Sequence, residues 1–196
     1  FQMRDFRLAA HYPLDGNADD VSGNNNDGTV AGAVPTDDRK AKAGAAYLFN
    51  GTSSDYVSAP DSASLDITGQ VTLTAWVRPS ATFSNNSNGY VVQKRNPSLG
   101  GYSYGLDIYP GRVRGSVNRA SIQATGLTTI VKERWQHIAM TFDGSQVTLY
   151  YNGVQDGATS PITPVPIETS NGNLEIGLYA SLNFDGAIDD VRVYNK

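Results

Sequence analysis

Apolar and polar residues alternate with a period of two along much of this chain. The clearest run is 71–78, VTLTAWVR, in which Val71, Leu73, Ala75 and Val77 share one face and Thr72, Thr74 and Trp76 the other. Successive side chains of an extended strand point to opposite sides, so the run predicts a strand. Residues 133–154, ERWQHIAMTFDGSQVTLYYNGV, carry the pattern through two strands. Trp135, His137, Ala139 and Thr141 fall on one parity, and Gln136, Ile138, Met140 and Phe142 on the other. Asp143-Gly144 interrupts it, Val147, Leu149 and Tyr151 resume it, and Asn152-Gly153 turns the chain again. Asp-Gly and Asn-Gly between apolar runs are hairpin signals because these residues accept positive φ, so two of them about nine residues apart predict an antiparallel meander.

Shorter runs of the same kind predict strands at 8–14 (stopping near Pro13), 45–49, 55–59, 90–95, 102–108, 112–117, 121–125, 174–178 and 186–195. Residues 61–65 predict one helical turn capped by Asp61 or Ser62. The three prolines in SPITPVPI, 160–167, confine that stretch to an edge or a connection. No segment keeps helical periodicity beyond about two turns. The 196 residues suit one all-β domain, taken as 8–196, with 1–7 a lead-in or linker remnant.

Charge and composition narrow the partners. The net charge is −4 with both signs interspersed and no basic stripe, which argues against nucleic acid. No run approaches the roughly 18 apolar residues of a membrane span, so no membrane insertion is expected. The absence of cysteine excludes disulfides and thiolate metal sites but leaves the compartment open.

The stretch 15–30, DGNADDVSGNNNDGTV, is too polar to pack a core. A loop so rich in carboxylates and amides is either solvated or wrapped around a hard cation such as Ca²⁺. Its Asp15, Asn17, Asp19 spacing opens like an EF-hand loop, but Asp20 and Asn26 stand where that loop needs Gly and Glu.

Three elements carry a family resemblance. W-x-H-I-A-M-T-F-D-G followed by V-T-L-Y-Y-N-G, G-Q-V-T-L-T-A-W-V, and the closing G-A-I-D-D-V-R-V-Y-N resemble the laminin-G-like, concanavalin A-like jelly rolls of the lectin–glucanase and pentraxin-like group, from about Ala9 to Asn195. The resemblance implies a two-sheet antiparallel β-sandwich whose last strand pairs with its first, with the 71–78 strand buried on both faces. It also implies a structural Ca²⁺ between the 15–30 loop and the last strand, held by Asp20, by backbone oxygens near Asn25 and Gly28, and by Asp189. The alternative is that Asp189 and Asp190 merely flank the strand and pair with Arg192 or Lys196.

Catalysis is not expected. Hydrolases of this fold carry paired carboxylates as E-x-D-x-E, whereas Glu occurs here only at Glu133, Glu168 and Glu175, none two residues from an Asp. The Asp pairs 19–20, 37–38 and 189–190 point their side chains apart if they lie in strands. His137 reads as a packed core histidine bonded to backbone, and His11 packs likewise; neither has a zinc-site partner spacing. What remains is binding. Tyr102, Tyr104, Arg95, Arg112 and Arg114 could form a shallow glycan site, or equally be ordinary strand residues. Asn50-Gly-Thr and Asn85-Asn-Ser match the glycosylation pattern, which matters only in a secreted eukaryotic protein. The expectation is therefore a non-catalytic, calcium-stabilised, monomeric module of a longer extracellular or cell-surface chain, binding a glycan or an extracellular protein. The alternatives are an adhesion module without a sugar site and a polysaccharide hydrolase or lyase.

Overall fold

Turn chemistry sets the local structure. In the computed structural model, which describes residues 7–84, 88–180 and 182–196, Asn152 and Gly153 both take positive φ, 49° and 80°. That is the turn whose twist matches the strands on either side. Asp143 Oδ1 accepts the backbone N–H of Ser145 and Gln146 and closes the turn before it.

The described residues form fifteen strands: β1 Leu8–Tyr12, β2 Thr29–Ala31, β3 Val34–Thr36, β4 Ala46–Asn50, β5 Tyr56–Ala59, β6 Val71–Pro79, β7 Gly89–Asn96, β8 Gly101–Ile108, β9 Arg112–Val117, β10 Ile122–Thr129, β11 Gln136–Phe142, β12 Val147–Tyr151, β13 Val154–Ala158, β14 Leu174–Ile176 and β15 Asp185–Tyr194. One sheet runs β13-β12-β11-β6-β15-β4-β3, with β1 also on β15; the other runs β10-β9-β8-β7-β14-β5-β2. Every pairing between these strands is antiparallel.

The inner faces meet in a single core cluster running from Ala9 to Val193. Val71, Leu73, Ala75 and Val77 of β6 and Ile138, Met140 and Phe142 of β11 lie in it, one parity of each run. At Gly115 of β9 a Cβ would come within 2.8 Å of Met140 Cβ and Leu149 Cδ2. Only a glycine lets the sheets approach so closely there.

β1 pairs with β15, His11 opposite Arg192 and Tyr12 opposite Val191, so the first and last strands join as expected. Several local expectations are corrected. β6 is buried on one face only, and Thr72, Thr74, Trp76 and Arg78 are half-buried on the other. Residues 61–65 form a turn closed by Leu65 N–H to the Ser62 carbonyl, with no helix, and Ser62 Oγ donates to Asn26 Oδ1 instead of capping. β2, β3 and β13 are additional strands, too short or too polar for periodicity to reveal, and Pro97–Leu99 is a 3₁₀ turn. The lead-in up to residue 6 and the Asn85-Asn-Ser sequence lie outside the described residues.

Candidate functional site: a cleft on the outer face of the larger sheet

The outer parity of β6 and β11 places an aromatic pair side by side. Trp76 stands opposite His137 in the ladder, and their rings meet edge to face at 5.4 Å between centroids. On its other flank Trp76 stands opposite Asp189 of β15. Immediately after Asp189 the register of β15 slips, and Asp190 adopts φ 51°, a left-handed conformation uncommon for a residue other than glycine. A bulge of this kind turns successive side chains toward the same face. Both carboxylates consequently reach one cation: Arg39 donates from Nη1 to Asp189 Oδ2 at 2.5 Å and from Nη2 to Asp190 Oδ2 at 3.3 Å. The expectation that the 189–190 side chains diverge fails because it assumed a regular strand.

Arg39 also lies over the Trp76 ring, 4.9 Å from its centroid, a cation–π distance. Asp190 is gripped further by His11 Nε2 at 2.8 Å and by Arg192 Nε at 3.1 Å. His137 and His11 are thus not core histidines. His137 is half-buried on the outer face, and His11 is engaged with Asp190.

These groups line two adjoining hollows that share Asp190 and Arg192. One, of about 500 Å³, is bounded by Trp76, His137, Thr74, Asn152 and Gly153; the other, of about 270 Å³, by His11, Arg39, Asp15, Lys42 and Asp189. Asn152 is locked in place by the turn it forms: its Oδ1 accepts the His137 backbone N–H and its own N–H donates to the His137 carbonyl.

The electrostatics are divided. Burial pushes the Asp189 carboxyl up to about 6, against the pull of Arg39. Burial also opposes ionisation of Asp190, but the hydrogen bond from His11 and the charges of Arg192 and Arg39 win, holding that carboxyl below the usual range. Burial lowers His137, with Asp190 partly offsetting it.

The residues expected to bind ligand on the other sheet are placed differently. Tyr104 is fully buried in the core, its hydroxyl donating to the Leu65 carbonyl. Tyr102 is 4% exposed, packs with Tyr90 and Tyr179, and shares a hydrogen bond with Ser116 Oγ. Arg114 is buried in a two-pronged pair with Asp107. Only Arg95 and Arg112 are exposed, so the five form no common surface.

The carboxylates expected to hold calcium have partners within the protein. Asp20 Oδ1 accepts the N–H of His11 and of Ser22, and Oδ2 accepts Ser22 Oγ–H and the N–H of Asn26. A carboxylate offers about four acceptor positions, and all are taken. Asn25 supplies a left-handed turn (φ 60°). Gly28 gives its N–H to the Ala18 carbonyl, and a Cβ there would sit 2.8 Å from Val57. Asp189 is taken by Arg39. Among the described residues no group of three or more His, Asp or Glu side chains could hold a metal ion.

Residues 50–196 match the family described as the concanavalin A-like lectin/glucanases superfamily. The chain belongs to that superfamily. No match was found among curated protein sequences. Solved structures similar to it include domain 4 of AbnA, a GH43 extracellular arabinanase from Geobacillus stearothermophilus in complex with arabinotriose, at 23% identity and a TM-score of 0.71, covering 96% of this chain and 92% of that one. The binding domain of Paraclostridial Mosquitocidal Protein 1 matches at 18% identity and a TM-score of 0.78, covering 100% and 50%. The botulinum neurotoxin serotype G binding domain matches at 15% and 0.74, covering 96% and 48%. The chain thus spans about half the length of these two toxin domains.

Within the superfamily fold, the cleft over Trp76 rests on residues that sequence reading passed over. One signal was available: a tryptophan on the polar parity of β6, beside Thr72, Thr74 and Arg78, sits where nothing in a core calls for it. Among the described residues no helix is long and apolar enough to cross a membrane.

Proposed function

We propose that this chain is a non-catalytic glycan-binding module of a larger extracellular or cell-surface protein, with its ligand in the cleft over Trp76. The observation that carries the reading is the half-exposed indole on the outer face of β6, flanked by His137 and walled by Asn152, Asp190 and Arg192. An apolar platform with a few fixed polar groups around it is the general form of a small-ligand site. A sugar ring offers it an apolar face for the indole and hydroxyls for the wall. Membership of a lectin and glucanase superfamily supports this reading, as does likeness to an extracellular arabinanase domain.

The test is titration of neutral oligosaccharides, arabinotriose among them, into the wild type and Trp76→Ala. Binding lost in the variant, with its melting curve preserved, is the expected result. No binding in the wild type, or unchanged binding in the variant, overturns the proposal.

One observation favours a second reading, hydrolysis: Asp189 and Asp190 have carboxyls pushed in opposite directions, as acid and base partners do. Against it, the Asp189 side chain is only 3% exposed behind Arg39, and Asp190 is held by three basic side chains. Release of reducing sugar by wild type and not by Asp190→Asn would favour this reading.

A further inference from the structure

Arg39 is bound the way a ligand is bound. Its guanidinium has the Trp76 ring on one side and the Asp189 and Asp190 carboxylates at its nitrogens. Ring quadrupole and carboxylates select alike for a positive, hydrogen-bond-donating group. Yet the loop that carries Arg39 does not need it for its own shape. The turn is closed from within: Asp38 Oδ1 accepts the N–H of Lys40 and Lys42, Asp38 N–H donates to the Lys42 carbonyl, and Ala41 N–H donates to the Asp38 carbonyl. A second tie, Lys42 to Asp15 at 2.9 Å, anchors the loop independently. The Arg39 side chain keeps 23% of its surface in solvent, so it can leave without unravelling what holds it.

The receptor is different. Asp189 is nearly inaccessible, and burial opposes its ionisation even with Arg39 present. Emptied of Arg39, it loses the cation that offsets its burial, and an incoming cation restores that offset. The hollow of about 270 Å³ beside it shares Asp190 and Arg192 with the larger cleft, so a group entering there lies next to anything resting on Trp76.

We propose that Trp76, Asp189 and Asp190 form a cation-accepting cage, that Arg39 is its resident occupant, and that the cleft takes a glycan bearing a free amine, whose ammonium displaces Arg39. The glycan part of this rests on the reading of the cleft given above; the cage does not. Arg39 therefore acts as an internal competitor that sets the affinity for the amine.

Two measurements test it. N-ethylguanidine at millimolar concentration should raise the melting temperature of Arg39→Ala and leave the wild type and the Arg39→Ala/Asp189→Asn double variant unmoved. A glucosamine oligomer should bind Arg39→Ala about tenfold more tightly than it binds the wild type, the scale of a desolvated cation–π contact with a charge-assisted bond. The N-acetylated oligomer, which lacks the charge, should show no gain. Absence of guanidine rescue overturns the cage and leaves the glycan reading to its own test. Rescue without any oligomer binding, or an equal gain for both oligomers, overturns the amine-bearing glycan as ligand.

Discussion

Lys94 Nζ lies 2.5 Å from Asp61 Oδ1, with the lysine side chain 1% exposed. The carbonyls of Ser170 and Gly172 complete the cage at 2.8 and 2.5 Å, and Asp66 Oδ1 stands 3.7 Å away. An ammonium from β7 thus gathers the turn after β5 and the segment before β14 around an all-oxygen site. Lys94→Met keeps the apolar stem and removes the charge, leaving the carbonyls and carboxylates to face one another. We expect a loss of about 3 kcal/mol, toward the low end for breaking a buried pair because Asp61 retains access to water, read as a lower urea midpoint. A change within about 0.5 kcal/mol, the scale of an ordinary surface substitution, would show that the cage contributes nothing.

Asp20 is the hub of the 15–28 loop through four accepted hydrogen bonds. Asp20→Ala strands four donors and should cost about 3 kcal/mol or more, since each unpaired buried group is penalised separately. Because the carboxylate is saturated by N–H and O–H donors, a chelator should leave the wild-type melting temperature unchanged. A chelator-induced drop in wild type that is absent from Asp20→Ala would restore calcium to this loop.

Trp76 and Tyr102 make a matched pair of substitutions. Trp76→Ala should weaken glycan binding by about 2 kcal/mol, roughly thirtyfold, as for a central aromatic anchor. Tyr102→Phe removes a hydroxyl bonded to Ser116 inside an aromatic cluster and should leave affinity unchanged while lowering stability by about 1 kcal/mol. The reverse ranking in a titration would move the site to the other sheet.

Burial pushes the Asp107 carboxyl from 3.8 up to about 6, with the hydrogen bond and charge of Arg114 pulling the other way. Between those values the folded protein holds a proton that the unfolded chain has released. The contribution of this group is therefore fully present below the unfolded value and lost as pH rises through about 6. Urea midpoints at pH 4.5 and 7 should differ in that direction by more in the wild type than in Asp107→Asn. Parallel shifts in the two proteins would contradict the assignment.

The fold was largely legible because its signals are local. Alternation in 71–78 and 136–142 needs no knowledge of partners, and both runs are strands with one parity in the core. The Asn152-Gly153 turn follows from φ preferences alone. The site was not legible because it depends on register and on distant partners. Tyr102 and Tyr104 share a parity in sequence. β7 shifts register against β8 between them, and one tyrosine joins the core while the other joins the cluster with Tyr90 and Tyr179. Arg39 meets Asp189 across 150 residues of chain. Arg114, on the polar parity of its strand, looks solvated until Asp107 appears opposite it in the ladder.

By itself, then, the sequence determined the longer strands and their tight turns, since each depends on the backbone preferences and hydrophobic spacing of neighbouring residues, while the sandwich came from the resemblance its motifs carry. Only the tertiary structure decided that Trp76 faces a cleft, that Asp189 and Asp190 point the same way, and that Arg39 fills the place between them. Those outcomes depend on a bulge in β15 and on which strands become neighbours, and a contact between segments remote in the chain leaves no periodic trace in either one.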